Sequence, residues 1–383
     1  MGLRSHQALT LRLLCPVLIL SWGISGCGEQ TTSSKSESPV ASTAMASGSA
    51  TPVKFDRQIL RDFVAQVVVP NNNFFAQRAS NLSQSIDAFT KAPTVQSLAS
   101  AQAAWVEARA AWEQTECFGF GPTTSLGYDG ALDTWPINEA DFKALIKSGE
   151  PLTAGSVGKM KETEKGFHVM EYFLFGQGKD RKPADLAPRD LQYLQLLGAD
   201  FAKVATDLAA SWSKGVEGKP AYQEVFATAG ESGNATYPTV QAGAQEMIQG
   251  MLDSLDEVAN EKLGKPLKEK NPKLAESRFS LNTLTDIKSN LQGSQNVYLG
   301  SFPAAKTSGK GLSAYIAQIN PALDDAVKQK FKAAAESLEK ISGPFETAIL
   351  DPKAADSIKA AQAAIDAVHE AIEKDVKPLV VKS

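Results

Sequence analysis

Cysteine and histidine are scarce in this chain of 383 residues, with three of each. Cys15, Cys27 and Cys117 cannot make a disulfide framework or a thiolate zinc site. His6 stands near the N-terminus, so the body holds only His168 and His369, and no H-E-x-x-H or H-x-x-E-H occurs. The usual zinc-peptidase signatures are therefore missing. Basic runs of five residues and aromatic-and-basic stripes are also absent, and the formal net charge is −4, which argues against a nucleic-acid partner. Gly and Pro, 28 and 19 residues, stand near average shares and exclude collagen-like or low-complexity chains. Apolar residues make up 43%, too many for disorder and too dispersed for a multi-pass membrane protein.

The N-terminus reads as an address. Arg4 and Arg12 precede the apolar stretch Leu13 to Leu20, which is too short to span a bilayer, and Ile24-Ser25-Gly26-Cys27 follows. These four residues look like a bacterial lipobox, which makes residues 1–26 a lipoprotein signal peptide and Cys27 the lipidated new N-terminus. From Cys27 to Pro52, 11 of 26 residues are Ser or Thr and none is aromatic, the composition of a flexible tether over 27–52. Two acyl chains and a tether would hold a folded body near a membrane. Gly28, rather than Asp, after the cysteine favours the outer membrane, with the body facing the periplasm.

From residue 53 onward apolar residues recur at three and four, and the expected fold is all-α. Helical stretches are expected over 55–69, where Pro70 kinks or ends the run and Phe74, Leu82, Ile86 and Phe89 continue the pattern, then over 93–117, 156–175, 189–212, 239–263, 281–295, 321–341 and 355–376. Long helices with short Gly, Pro, Asn or Ser joints make bundles. Ser97 to Gln114 can be laid without a gap on Ser357 to Lys374, sharing Ala-Gln-Ala-Ala, which makes a pseudo-duplicated pair of bundles a candidate. The boundary is placed near Gly215 to Lys219, giving bundles over 53–215 and 216–383, with the functional crevice between them.

Two acidic segments draw attention. At about 100 degrees per residue, His168, Glu171, Tyr172 and Phe175 share one face of a helix. An imidazole and a carboxylate pointing the same way beside aromatic rings either tie helices together or hold something. Trp105, Arg109, Trp112, Glu113 and Glu116 share a face as well, and two inward carboxylates need a positive group between them, either Arg109 or a metal ion. The Gly-rich loop over 119–136 then delivers Asp133-Thr134-Trp135-Pro136. Arg278, Asn282, Asp286 and Asn290, spaced by four, form a polar seam that is either solvated or faces the first bundle. Asp366 and His369 read as an exposed helix pair.

W-x-x-A-R-x-x-W-E-Q-T-E-x-F at Trp105 to Phe118, G-Y-D-x-x-L-D-T-W-P-I-N at Gly127 to Asn138, and G-x-H-x-x-E at Gly166 to Glu171 together resemble the imelysin-like proteins. That family is also classed as peptidase M75 and includes bacterial iron-regulated proteins. The resemblance continues through Arg278 to Thr283 and Asn296 to Gly300, covering nearly all of 55–380. It implies two helical bundles with a site where they meet. Its proposed metal site, carried over position by position, falls on Glu113, Glu116, Asp133, His168 and Glu171. Arg109, Trp135, Arg278, Asn282 and Asp286 would line the crevice. Four carboxylates and one imidazole suit iron or another divalent first-row ion.

Two functions follow from different classes. One is a tethered, periplasm-facing protein that captures a metal ion or an iron-bearing ligand and passes it to an uptake-system partner. The other is an M75-type metallopeptidase using His168 and Glu171. A single histidine in the site favours capture. Haem lacks an axial pair, because Met170 points about 200 degrees from His168 on the same helix.

Overall fold

The computed structural model describes residues 53–383; the signal segment, Cys27 and the tether lie outside the described residues. Every long periodic stretch is helical, and the β structure among the described residues is one antiparallel pair of two-residue strands, Ser301–Phe302 and Thr307–Ser308. The all-α expectation holds.

Three of the helices contain π-turns, and each π-turn ends immediately before a Lys-Pro or Val-Pro pair. Phe63–Val68 precedes Pro70, Val258–Gly264 precedes Pro266, and Ala371–Val376 precedes Pro378. Proline lacks an N–H and its ring collides with the carbonyl four residues back, so an α-helix breaks there. A wider π-turn gives the ring room, and the helix continues. Pro70 therefore does not end the first helix, which runs from 58 to 91 through three segments.

Val69–Lys91 packs on Pro188–Ser213 and on Val95–Glu113, with Phe75, Ile86, Trp105, Trp112 and Phe201 buried among them. Pro321–Leu338 packs on Ala355–Glu370, and Val240–Glu257 and Thr283–Leu299 lie between these two sets. Residues 53–383 nevertheless share one network of contacts. Gln58–Asp62 and the π-turn after it pack on Tyr222–Ala227 and on the strand pair, so contacts cross the 215/216 point. Helix Pro188–Ser213 does end there, at a turn where Gly215 takes φ +83°.

The loop over 119–136 is more ordered than its glycines suggested. It folds into two short helices, Pro122–Ser125 and Tyr128–Asp133, before a cis Trp135–Pro136 bond. Helices Glu139–Ser148, Tyr222–Ala227 and Leu312–Ile319 were too short to stand out by periodicity. The 156–175 stretch keeps only Ala154–Val157 and Phe167–Phe175 as α-helix.

Candidate metal centre

Two close backbone approaches bring the site together. Gly166 has φ +86°, and a Cβ there would stand 2.6 Å from the Leu132 carbonyl oxygen. Only glycine lets the segment that delivers Asp133 press on the start of the His168 helix, which explains the first letter of G-x-H-x-x-E. On the other side, a Cβ at Gly293 would stand 2.5 Å from the Gln114 carbonyl oxygen. Helix Thr283–Leu299 thus lies directly on the end of helix Val95–Glu113 and sets Asn290 against the two glutamates.

Arg109 is fully buried and binds Glu113 and Asp133, with Glu276 at 2.8 Å and Asp286 at 3.9 Å. Its guanidinium lies 5.0 Å over the Phe167 ring. The fully buried Lys262 places Nζ 3.0 Å from Glu113, 2.8 Å from Glu116, 2.9 Å from Glu276 and 3.3 Å from the Asn290 amide oxygen. Asp133 accepts from Trp112 Nε1 at 2.6 Å and stands 3.2 Å from His168 Nε2. The other ring nitrogen of His168 meets Glu171 Oε2 at 3.0 Å. Glu171 Oε1 in turn accepts from the Phe279 and Ser280 N–H groups at 3.1 and 2.7 Å and from the Ser280 hydroxyl at 2.7 Å. Leu281, at φ +54°, takes the left-handed conformation that a non-glycine residue rarely adopts, at the bend just after those two donors.

The electrostatics follow from the count. Six carboxyls, of Glu113, Glu116, Asp133, Glu171, Glu276 and Asp286, surround Arg109, Lys262 and His168. Burial opposes charge on His168, but the hydrogen bonds to Asp133 and Glu171 outweigh it and lift the imidazole to about 9. Burial also opposes charge on Asp133, and there Arg109 and His168 prevail, holding its carboxyl well below the usual range. For Glu116 and Asp286, burial drives the carboxyls well above theirs, Glu113 adding repulsion in both cases. Burial and repulsion by Glu113 lift Glu276 to about 7. The acidic excess thus raises the proton affinity of these three carboxyls.

A cleft of 220 Å³ opens onto the cluster, lined by Glu116, Asp129, Asp133, Glu257 and Glu276 with Trp112 and Trp135, and by no cationic side chain. A larger cavity, 920 Å³ between 260–270 and 349–362, contains none of these residues and no histidine. Donor atoms of Asp133, His168 and Glu276 lie within 4.8 Å of one another, and so do those of Glu113, Glu116, Asp133 and Glu276. Glu276 Oε2 and Asp286 Oδ2 are buried without a hydrogen-bond partner. This oxygen-rich, under-satisfied set fits a hard or borderline divalent cation.

Glu113, Glu116, Asp133, His168, Glu171, Arg109 and Asp286 all come together; Asn282 joins through Asp286 at 2.7 Å, and Trp135 lines the cleft. Arg278 does not join them. It pairs with Glu139 at 2.6 Å and stacks over Phe279, on the outer side of the segment that reaches Glu171. Glu116 is not on the Glu113 helix either, since that helix ends at Glu113 and Glu116 opens a 3₁₀ turn. The group between the two glutamates is Lys262 rather than Arg109. Sequence reasoning missed Lys262, Glu276 and Ser280. Ser280 stands within the Arg278 to Thr283 segment that carries the resemblance, which was a usable signal; Glu276 lies outside it, and Lys262 offered only its place four residues before Pro266. Asp366 and His369 are half-exposed on Ala355–Glu370, outside the cluster.

Residues 68–374 match the Imelysin family, peptidase M75. The chain belongs to that family. Among its relatives is iron-regulated protein A of Synechococcus elongatus, 38% identical over 323 residues, which cover 84% of this chain and 86% of that protein. Of solved structures, a putative iron-regulated protein A precursor from Parabacteroides distasonis superposes with a TM-score of 0.77 at 24% identity, over 86% of this chain and 96% of that one. An imelysin-like protein from Psychrobacter arcticum gives 0.68 at 14% identity, over 86% and 98%. Both share the helical fold. In this chain the His168 and Glu171 motif is a clamp: Glu171 is held by the Ser280 segment and aims His168 Nε2 at Asp133.

Proposed function

We propose that the protein binds a divalent metal cation, iron above all, in the acidic cleft and serves iron acquisition at the cell envelope. The observation that carries this reading is the cleft itself: five carboxylates and no cationic side chain line an opening above converging oxygen and nitrogen donors. Such a lining attracts cations and repels anionic chelates. Its 220 Å³ falls below the roughly 300–1,000 Å³ of sites for organic ligands, so the cargo is a bare or aquated ion rather than haem or a large chelate. Asp133, His168 Nε2 and Glu276 would hold the ion, with Glu113 and Glu116 completing the oxygen set beside them and Glu171 orienting the imidazole. Metal and protons compete there for His168 and the carboxyls. The iron-regulated name of the Synechococcus relative supports iron as the cargo.

The geometry speaks against hydrolysis with Glu171 as the base. A metallopeptidase needs a carboxylate free to take a proton from water. Glu171 has three donors on one oxygen and His168 on the other. Lipidation at Cys27 and an outer-membrane position facing the periplasm complete the proposal, with the ion passed on to an uptake partner. Equilibrium dialysis of the full chain with manganese(II), an air-stable stand-in for ferrous ion, tests the central point, with casein hydrolysis measured in parallel. Saturable binding of one ion per chain without cleavage is the expected result; metal-dependent cleavage that is lost in His168→Ala would replace capture by hydrolysis.

A further inference from the structure

Lys262 stands where a metal ion would stand. Its Nζ has four oxygen neighbours, on Glu113, Glu116, Glu276 and Asn290, at 2.8 to 3.3 Å. Three of these residues, with Asp133, are the group whose donors converge within 4.8 Å. An ammonium has three hydrogens and cannot donate fully to four acceptors, whereas a metal ion has no such limit. Glu276, only 4% exposed, keeps one oxygen without any hydrogen-bond partner beside this ammonium. A metal among these oxygens and the Lys262 ammonium exclude each other, by space and by charge.

The fold also supplies a way out. Lys262 belongs to the π-turn Val258–Gly264, in which residues five apart are joined by the backbone ladder. Glu257 lies five residues before it, exposed, at the cleft. A flexible four-carbon stem allows the ammonium to change partners while its backbone stays in place.

We propose that Lys262 is a resident cation that fills the Glu113–Glu116–Glu276 oxygen set in the empty protein and swings towards Glu257 when a metal enters. The lysine keeps the acidic core intact between loading events and lowers the affinity, so that bound metal can be released rather than trapped. The inference rests on the cation-binding reading above.

Two measurements on the full chain test it together. Manganese(II) titrated into Lys262→Met, which keeps the length without the charge, should bind at least about tenfold more tightly than to the wild type. Amine acetylation of the wild type, read by mass spectrometry, should leave Lys262 unmodified without metal and label it in saturating manganese(II), because the ammonium then sits at the cleft. Binding by the wild type with no gain in Lys262→Met overturns the proposal and leaves metal capture standing. So does a Lys262 that stays unreactive when metal is bound, and this holds even where the variant fails to fold. No manganese(II) bound by either protein overturns the capture reading, and the resident-cation proposal with it.

Discussion

Replacing Arg109 by Met removes the guanidinium that Glu113, Asp133 and Glu276 share, while keeping a side chain of similar length among Trp105, Trp112 and Phe167. Arg109 is 0% exposed, so water cannot take its place. Removing one partner of a buried ion pair leaves the other charge uncompensated and costs about 3–5 kcal/mol. Unfolding entropy near 2.1 cal/mol/K per residue over about 330 residues is roughly 0.7 kcal/mol/K, so the melting temperature should fall by about 4–7 °C. Differential scanning calorimetry at pH 7 on the metal-free full chain would show it. At pH 5 the fall should shrink, because the orphaned carboxyls can then take up protons. A loss under 1 °C at pH 7, or a gain, would refute the reasoning: it would mean that desolvating Arg109 costs as much as its three carboxylates return.

Glu276→Gln should stabilise the metal-free protein above neutral pH. Burial and Glu113 raise the Glu276 carboxyl in the folded state from 4.5 to about 7, so its stabilising proton is held fully below pH 4.5 and lost as pH rises through 7. That loss is worth up to about 3 kcal/mol, and urea unfolding between pH 5 and 8 should show a flatter profile in the variant; an unchanged slope would contradict the assignment. Manganese(II) at about 100 times its dissociation constant should stabilise the wild type by about 2.7 kcal/mol. His168→Ala should lose most of that increment while Asp366→Asn keeps it, as thermal shift would show. Cys27→Ser should move the protein from membrane to soluble fractions with its helical circular dichroism unchanged; continued sedimentation with membranes would remove the lipid anchor.

The helices were legible because packing repeats along the chain. Trp105 and Trp112 bury one face of Val95–Glu113, and Phe201, Ala205 and Leu208 do the same on Pro188–Ser213, each at helical spacing. His168 and Glu171 were legible for the same reason, being one turn apart on one face. Whether the helix ended at Pro70 stayed open because a π-turn absorbs the proline, and a π-turn has no signature in apolar spacing. Glu276 lies in a turn segment without periodicity, and Lys262 meets Glu113 and Glu116 across 149 and 146 residues of chain. Such partners are chosen by tertiary packing, where Gly293 seats one helix against Gln114, and no local pattern records that choice. Arg278 showed the converse: its spacing of four from Asn282 suggested a shared seam, but the bend at Leu281 turns it towards Glu139.

In the proposed function the acidic cleft binds a divalent cation through Asp133, His168 and the glutamates beside them. Crystals soaked in manganese(II), with anomalous data collected near its absorption edge, test it most directly. One strong peak is expected in the cleft, within about 2.0–2.6 Å of oxygens of Asp133 and Glu276 and of His168 Nε2. A cleft without a peak, with Arg109 and Lys262 still paired as in the metal-free protein, would contradict it and leave the cluster as an ion network that serves the fold alone.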